Sequence, residues 1–354
     1  MATCAIVSFR LGLSDGVSVV AARWGRILEQ LGFGVVTVAG EGPVDRLVPG
    51  LAIGAPEPPD LGEMAAVLAD ADLVIVENLC TIPLNLPAAR VVARVLAGRP
   101  AVLHHHDPPW QRERFAHITE LPPDDAAWRH VTINRLTEGQ MAARGIHATT
   151  IHNPFELDAP PGDRTGTRRL LDVADDDLLV AHPVRAIARK NIPRAVRVCE
   201  DLGATYWLTG HTEEGYGPTL EDVLAGAGCR VLRHPAQSRD DIYAAADAVV
   251  FTSVWEGFGN PPVEAAVAGL PAIVSHYPVA EELRALGFGW FDPDDLAPLH
   301  SHLASGDADL LAHNRRVVEQ HLSMEVIGGR ITALLADMGV QPRSAPDIGL
   351  RLPE

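Results

Sequence analysis

The fold class is decided by residues 247–275, which read DAVVFTSVWEGFGNPPVEAAVAGLPAIVS. The apolar run at the start predicts a buried strand and the glycine-bearing middle predicts a loop. The segment of small residues that follows predicts a helix with Asn260 as its N-cap and Gly269 as its stop, and a second apolar run predicts the next strand. A strand, a helix and a strand in succession form the repeating unit of a parallel sheet. The pattern puts Glu256 on the loop and Glu264 one turn into the helix.

The same alternation of short apolar runs with helical periodicity extends through nearly the whole chain. It predicts an α/β protein with two doubly wound, Rossmann-like domains that face a central cleft. A stretch rich in proline, glycine and aspartate begins at residue 153, so the predicted domains are 1–152 and 153–325, and 326–354 forms a C-terminal helix and tail that can pack back on the first domain. The predicted strands are 4–9, 34–40, 72–79, 101–106, 130–134, 148–152, 178–184, 205–210, 229–234, 248–253 and 271–275.

The composition excludes several classes of protein. The chain has 354 residues, of which 47% are apolar and 21% charged, and this is enough for two globular cores. No run approaches the roughly 18 apolar residues of a membrane span, and the first residues read as a core strand, so we expect a cytoplasmic protein without a transmembrane segment. The net charge of −17 argues against nucleic-acid binding. The four scattered cysteines predict neither a zinc site nor disulfides.

Glu256 and Glu264 are separated by seven residues that include Pro261 and Pro262. A helix N-terminus after a strand favours an anionic ligand such as a phosphate, but each proline lacks the amide that would face it. The anion would then depend on side-chain cations, which leaves the carboxylates to accept hydrogen bonds from hydroxyl groups. Carboxylates that bind vicinal diols suit a sugar nucleotide. The alternative is that Glu256 caps a turn and that Glu264 is a solvated residue favoured by the helix dipole.

The segment EGFGNPPVEAAVAGLPAIVS, residues 256–275, resembles the retaining glycosyltransferases of the GT-B fold, specifically family 4, the glycosyl transferases group 1. The resemblance extends over most of the chain. It implies an N-terminal domain on the acceptor side and a C-terminal domain that binds the nucleotide-sugar. It also implies that Glu264 binds the ribose hydroxyls and that Glu256 lies against the donor sugar. Amides of the intervening loop would contact the donor, at Phe258, Gly259 and Asn260.

The segment VRAIARKN places Arg185 and Lys190 five positions apart, and Lys190 is the only lysine among the 29 basic residues. In the family, such a pair contacts the donor diphosphate, and the resemblance gives this role to Arg185 and Lys190. The chemistry agrees, because a leaving diphosphate gains negative charge as the glycosidic bond breaks and fixed cations stabilise that transition state. The alternative is a basic surface turn.

Three consecutive histidines in LHHHDPPW raise the question of a metal site. Side chains alternate along a strand, so His104 and His106 share one face while His105 points away, which is a poor tetrahedral set of ligands. The resemblance implies instead that one histidine at the end of this strand lies near the donor sugar. We assign this role to His106, with His105 as the second choice, and expect no metal.

Other candidate residues follow predicted strands. Gly16 corresponds to the glycine-rich loop of the family, near the donor, and Asp15 beside it either faces an acceptor hydroxyl or, as we favour, caps the next helix. The resemblance places Gly210 near the nucleotide and His234 and Ala236 near its base. The acceptor candidates of the first domain are Glu77, Asn78, Trp110, Arg112 and Arg114.

The predicted function is that of a metal-independent retaining hexosyltransferase. It would move glucose or mannose from a nucleoside-diphosphate sugar, with UDP-glucose as the reference donor, to a hydroxyl of a small acceptor by front-face substitution. We expect no cofactor, no nucleic-acid partner, and a monomer or homodimer. Two alternatives stay open: a sugar-nucleotide 2-epimerase, which would act on the donor alone, and a non-catalytic protein that only binds a sugar nucleotide.

Overall fold

The computed structural model describes residues 2–13, 15–158 and 160–341. These residues divide into two compact units. The first comprises the described residues of Met1–Pro154 and Met324–Glu354, and the second is Phe155–Ser323. Both limits lie within two residues of the domain limits predicted from the sequence. The predicted tail beyond residue 341 lies outside the described residues.

The first unit is built on a parallel sheet whose central strands are buried on both faces, which explains their unbroken apolar composition. Its strands are β1 (Ala2–Arg10), β2 (Phe33–Glu41), β3 (Arg46–Leu47), β4 (Leu73–Glu77), β5 (Ala101–His105), β6 (Trp128–Thr132) and β7 (Ala148–Thr150). They lie in the order β3-β2-β1-β4-β5-β6-β7. The six predicted strands are present. The edge strand β3 was missed because two residues are too few to show an alternating pattern.

Four helices of this unit precede residue 154: α1 (Gly16–Gln30), α2 (Leu61–Val67), α3 (Leu86–Leu96) and α4 (Arg135–Ala142). Asp15 is the N-cap of α1, and its carboxylate accepts hydrogen bonds from the amides of Val17 at 3.2 Å and Ser18 at 3.3 Å. The capping role that the sequence favoured for Asp15 is thereby confirmed. It places a carboxylate at the positive end of the helix dipole.

The second unit repeats the architecture with a five-stranded parallel sheet in the order β10-β9-β8-β11-β12. These strands are β8 (Leu179–His182), β9 (Thr205–Leu208), β10 (Val231–Arg233), β11 (Ala248–Phe251) and β12 (Ala272–Val274). All five were predicted. The helices of this unit are α5 (Arg164–Leu170), α6 (Ile192–Leu202), α7 (Gly217–Ala225), α8 (Arg239–Ala245), α9 (Asn260–Ala268), α10 (Pro278–Arg284), α11 (Ala297–Ser305) and α12 (Ala308–His321).

The helix α9 of the opening stretch begins one residue earlier than predicted. Its N-cap is Gly259 and not Asn260, and Gly259 has a φ of 102°, which side-chain-bearing residues rarely adopt. A Cβ at this position would also lie 2.6 Å from the hydroxyl oxygen of Tyr277. The tight turn therefore needs a glycine at the cap, and Asn260 enters the helix. The predicted stop is confirmed: Gly269 ends α9 with a φ of 70°.

The last described helix, α13 (Met324–Asp337), returns to the first unit. Its buried residues Ile327 and Ile331 share one apolar core with Trp24 and Ile27 of α1. The amphipathic pattern of α13 therefore completes the face of the sheet that α1 covers.

Among the described residues, every helix is too short or too polar to cross a membrane. The four cysteines are free thiols, as their scattered spacing predicts. Burial raises the pKa of Cys80 to about 12, so this thiol stays protonated and behaves as an apolar core group.

Candidate active site

The only lysine of the chain lies in an ion-paired cluster of the second unit. Lys190 Nζ donates a hydrogen bond to Glu256 Oε1, and Arg189 Nη1 donates one to Glu256 Oε2, each at 2.5 Å. The backbone holds the partners together, because the amide of Val254 donates to the carbonyl of Arg189 at 2.9 Å. This bond ties the turn after β8 to the loop after β11. The sequence predicts Lys190 and Glu256 as site residues, and the structure shows that Arg189 shares the same carboxylate.

Burial and charge act in opposite directions on Glu256. Burial alone would raise its pKa, but the charges of Lys190 and Arg189 outweigh burial and lower the pKa to about 2. Burial lowers the pKa of Lys190 to about 8, against the opposing effect of the Glu256 carboxylate. At neutral pH the carboxylate is therefore ionised and the lysine is a cation. An ammonium group has three N–H donors, and among the described residues only Glu256 accepts from this one, so two donors remain for a ligand.

Arg185, the second predicted phosphate ligand, pairs with a carboxylate that the sequence did not single out. Its Nη1 donates to Glu213 Oε2 at 2.5 Å, and Nε2 of His211 lies 2.7 Å from the other oxygen of Glu213. The neighbouring Gly210 has a structural reason for being a glycine. A Cβ there would lie only 2.1 Å from the carbonyl oxygen of Val184. Gly210 thus lets the two loops that carry Arg185 and Glu213 approach each other.

Glu264 lies in the first turns of α9 and is held by two donors. The hydroxyl of Tyr243 donates to Oε2 at 2.6 Å, and Arg239 Nη1 donates to Oε1 at 3.1 Å. These contacts orient the carboxylate, which is therefore more than a solvated residue favoured by the helix dipole. The predicted ribose ligand is presented by α8 and α9 together.

The other predicted donor contacts lie near the carboxyl ends of strands of the same unit. Phe258 is buried and its ring stacks on that of Phe155, with 6.1 Å between centroids. The carbonyl of His234 accepts a hydrogen bond from Trp207 Nε1 at 2.8 Å, while the residue itself is exposed. Ala236 is half-buried. The backbone of residues 234–236 is therefore anchored but accessible.

In the first unit, a buried carboxylate joins two of the three histidines. Glu77 Oε1 lies 3.0 Å from His104 Nδ1, and Glu77 Oε2 lies 2.8 Å from His106 Nε2. The alternation predicted for the strand is thus confirmed, since His104 and His106 share a face. Glu77 is completely buried. This corrects the prediction that Glu77 contacts an acceptor, because its carboxylate has no exposed surface and serves the histidines instead.

His105, the second choice for the donor-sugar contact, faces the other way and is completely buried. Its Nδ1 lies 2.6 Å from the hydroxyl oxygen of Thr81, and its Nε2 lies 2.8 Å from Nδ1 of His130. The chain of contacts continues from His130 Nε2 to Asp124 at 3.1 Å. Burial and the charges of neighbouring histidines hold the pKa of His105 well below its usual range, so it is a neutral structural residue.

The remaining acceptor candidates already have partners within the first unit. Asn78 Oδ1 accepts hydrogen bonds from the amides of His106 and Asp107, both at 3.1 Å. Trp110 Nε1 donates to Gln140 at 2.8 Å, and the guanidinium of Arg144 lies 4.1 Å from the centroid of its ring. Arg112 pairs with Asp107, and the guanidinium of Arg114 lies over the ring of Phe115. These contacts order the segment that follows His106.

Gly16 and Asp15 occupy the turn after β1. A Cβ at Gly16 would meet no described atom within 4 Å, so packing within the chain does not require a glycine there. The carboxylate of Asp15 is committed to the cap of α1, and Arg10 Nε lies 3.3 Å from it. Within the described residues, Gly16 is thus an open position, and the Asp15 carboxylate caps α1 and pairs with Arg10.

Comparison with known proteins supplies the class. Residues 185–302, which lie in the second unit, match the model of the family described as glycosyl transferases group 1. Among solved structures, Anabaena HepE in complex with UDP and glucose has a similar fold. The match covers 95% of this chain and 100% of HepE, with a TM-score of 0.74 and 19% sequence identity. A sucrose-phosphate synthase from Thermosynechococcus elongatus also has a similar fold. The match covers 96% of this chain and 99% of the synthase, with a TM-score of 0.70 and 15% sequence identity. The two parallel-sheet units therefore form the GT-B fold.

Two curated relatives are both described as mannosylglucosylglycerate synthase. The protein from Thermotoga maritima is 24% identical over an alignment of 391 positions, gaps included, which covers 89% of this chain and 90% of that protein. The protein from Petrotoga mobilis is 25% identical over an alignment of 274 positions, gaps included. It covers 62% of this chain and 63% of that protein, so this match spans less than two thirds of the relative's length. These findings agree with the resemblance in sequence: the chain has the GT-B fold, and residues 185–302 of its second unit match the group 1 glycosyltransferases.

The residues that the sequence analysis missed are mostly partners of those it found. Arg189 is adjacent to Lys190, and its proximity was visible in RAIARKN, but its bond to Glu256 was not. Glu213 holds Arg185 between two loops, and Tyr243 holds Glu264 between α8 and α9. No spacing rule predicts these pairs, because each forms between two elements that are distant in sequence.

Proposed function

We propose that the protein is a retaining glycosyltransferase that transfers a hexose from a UDP-sugar to a hydroxyl group of a small acceptor. The observation that carries the proposal is the cluster of Lys190, Arg189 and Glu256 in the second unit, inside the segment that matches the family model. It supplies a buried ammonium with unused donors in a chain whose net charge is −17. A local concentration of cations is what an anionic donor needs in such a protein.

The proposed reaction breaks the bond between the anomeric carbon and the diphosphate oxygen and forms a bond from that carbon to the acceptor oxygen on the same face. The leaving phosphate oxygen takes the proton of the acceptor hydroxyl. Lys190 stabilises the negative charge that develops on the leaving group. Arg185 adds to this stabilisation when its guanidinium binds both Glu213 and the phosphate. This stabilisation is larger in the transition state than in the ground state, because the charge grows as the bond breaks.

In this proposal Glu256 acts through its neighbours as well as on the sugar. It keeps Lys190 charged despite burial, since its carboxylate raises the pKa that burial lowers. Glu264, oriented by Tyr243 and Arg239, binds the ribose hydroxyls. The backbone amides of Phe258, Gly259 and Asn260 contact the donor. The next two residues are prolines, which have no N–H group to donate.

The side-chain cations make a divalent metal unnecessary in this proposal. A nucleotide diphosphate can be neutralised either by a metal ion or by fixed ammonium and guanidinium groups. Transfer should therefore proceed in the presence of EDTA, which is checked by comparing initial rates with and without the chelator.

The donor and acceptor are proposed by chemistry and by likeness. The structural neighbour from Anabaena contains UDP and glucose, which supports UDP and a hexose as the first donor to test. The two curated relatives are named for a mannosylglucosylglycerate product. Mannose donors, with glucosylglycerate among the acceptors, therefore join the screen.

The test has a binding stage and a turnover stage. Calorimetry with UDP and GDP identifies the nucleotide, and mass spectrometry of donor and acceptor mixtures identifies the product. NMR of the product then shows whether the configuration at the anomeric carbon is retained. Lys190→Met should abolish turnover, whereas the control Arg169→Met should not, because Arg169 is an exposed residue of α5 with no ion pair among the described residues. An active Lys190→Met enzyme would contradict the proposal.

Incubation with the donor alone separates the remaining alternatives. A 2-epimerase converts the donor sugar without an acceptor, whereas a binding protein shows affinity for UDP and no product with any acceptor. Either result, obtained with folded protein, would replace the transferase proposal.

A further inference from the structure

Glu77, His104 and His106 form a buried cluster at the carboxyl ends of β4 and β5. Glu77 is in register with His104 across the two strands, and His106 lies two residues further on the same face. Glu77 Oε1 lies 3.0 Å from His104 Nδ1, and Oε2 lies 2.8 Å from His106 Nε2 and 3.0 Å from His104 Nδ1. The resemblance in sequence gives His106 a contact with the donor sugar, whereas Glu77 has no part in the proposed function.

The charge of Glu77 determines which imidazole nitrogens carry protons. Burial would raise the pKa of this carboxyl, but its contacts with His104 and His106 outweigh burial and lower the pKa, so the carboxylate is ionised. An ionised carboxylate only accepts hydrogen bonds, so His106 Nε2 and His104 Nδ1 must both be N–H groups. In a neutral imidazole the second nitrogen then carries a lone pair. That atom is Nδ1 in His106 and Nε2 in His104.

The two lone pairs differ in what can reach them. Nε2 of His104 is buried without a hydrogen-bond partner among the described residues, and the His104 ring packs against the ring of Trp24, with 4.4 Å between centroids. Nδ1 of His106 also makes no hydrogen bond to a described residue, but it is not among the buried atoms. Of the two, only His106 can offer its lone pair to a ligand.

We propose that Glu77 is a positioning residue that fixes His106 as the Nε2–H tautomer, so that Nδ1 accepts a hydrogen bond from a hydroxyl of the bound sugar. The inference rests on the proposed function. It adds the direction of the hydrogen bond between His106 and the sugar, because His106 accepts and the sugar hydroxyl donates. Asn78 fixes the backbone of the same segment, because its Oδ1 accepts hydrogen bonds from the amides of His106 and Asp107. A group held in this way needs no reorganisation when the sugar binds.

The same three residues also have the donor chemistry of a metal site. Their ligand atoms all lie within 4.8 Å of one another, and two imidazoles with a carboxylate suit zinc. A metal ion would need lone pairs on the two nitrogens that donate to Glu77 in the hydrogen-bonded network. The network and the metal therefore exclude each other, and elemental analysis of the purified protein distinguishes them.

The tautomer can be read in the wild-type protein without substrate. Imidazole ¹⁵N shifts in histidine-labelled protein distinguish Nε2–H from Nδ1–H, and the His106 signals are assigned by their loss in His106→Gln. We expect the Nε2–H tautomer for His106, the Nδ1–H tautomer for His104, and no bound metal. An Nδ1–H tautomer at His106, or a stoichiometric metal ion, would overturn the proposal.

Glu77→Gln tests the consequence for catalysis. An amide has one accepting oxygen and one donating NH₂ group, so residue 77 no longer offers two accepting oxygens, and the NH₂ group favours a lone pair on the imidazole nitrogen that it faces. We expect the single tautomer of His106 to be lost and kcat to fall about tenfold, as for one hydrogen bond, with little change in KM for the donor. The control is Glu138→Gln in the same unit, where the carboxylate accepts a hydrogen bond from Thr150 at 2.5 Å, and it should leave kcat unchanged.

An unchanged kcat in Glu77→Gln, with the tautomer altered, would remove His106 Nδ1 from the sugar contact. The tautomer is measured in the absence of substrate, so an error in the positioning proposal is distinguishable from a failure to transfer sugar. If Glu77→Gln does not fold, the wild-type tautomer and metal content still decide the proposal.

Discussion

Donor affinity is expected to fall as the pH rises through about 8. Burial lowers the pKa of Lys190 to about 8, and the proposed contact with the donor diphosphate requires the protonated ammonium. A bound diphosphate raises this pKa, so the complex takes up a proton when it forms above pH 8. The affinity is therefore fully present below the pKa of the free protein and is lost as the pH rises above it.

The size of the effect follows from the loss of one proton. Above pH 8 the protonated fraction of Lys190 falls tenfold per pH unit, so the dissociation constant should rise by up to about tenfold per unit, or about 1.4 kcal/mol. Glu256→Gln removes the carboxylate that raises the pKa of Lys190. In that variant the loss of affinity should begin at a lower pH.

Calorimetry with UDP-glucose measures this directly, because the charge of its diphosphate is constant over the range. Titrations from about pH 6.5 to 9.5 are compared with those of Lys190→Arg, in which the cation persists because a guanidinium does not deprotonate. Any titration of the ligand itself is common to both proteins. If the wild type and Lys190→Arg lose affinity in parallel, Lys190 is not the titrating group that holds the donor.

Three further outcomes concern stability and are measured by urea unfolding. Glu256→Gln leaves Lys190 buried without its carboxylate and should lower the free energy of unfolding by roughly 3–5 kcal/mol. Adding Lys190→Met should restore part of that free energy. If the losses of the two single variants simply add in the double variant, the ion pair is contradicted. Gly210→Ala places a methyl group 2.1 Å from a backbone oxygen and should cost about 1–3 kcal/mol, whereas in the control Gly217→Ala the nearest atom is 4.0 Å away and stability should change by less than about 0.5 kcal/mol. Burial and the charge of Lys190 lower the pKa of His182 to about 3, so below about pH 6.5 the unfolded chain binds a proton that the folded protein does not. The free energy of unfolding should fall there by up to about 1.4 kcal/mol per pH unit for this group, and His182→Gln should reduce the slope accordingly; an equal slope would exclude His182 as a cause.

The alternation of apolar runs with helical periodicity was sufficient to predict the parallel sheets. Eleven of the strands follow it, because a strand buried on both faces must be apolar along its length. The exception, β3, has two residues and only edge pairing. The start of α9 was misplaced by one residue for a different reason. Asn260 is the better capping side chain, but the position of Tyr277 and the φ of 102° leave room only for Gly259 at the cap.

The sequence by itself determined the α/β architecture, the resemblance to group 1 glycosyltransferases, and the residues Lys190, Glu256, Glu264 and His106 as candidates. These depend on local periodicity and on short motifs, which are written in consecutive residues. Only the tertiary structure decided which charges meet. It pairs Glu256 with Lys190 and Arg189, and it turns Glu77 from a predicted acceptor contact into the carboxylate that holds His106. In a parallel sheet the ends of strands that are far apart in the chain lie side by side, so the partner of each charge, and with it each pKa and tautomer, is a property of the folded protein alone.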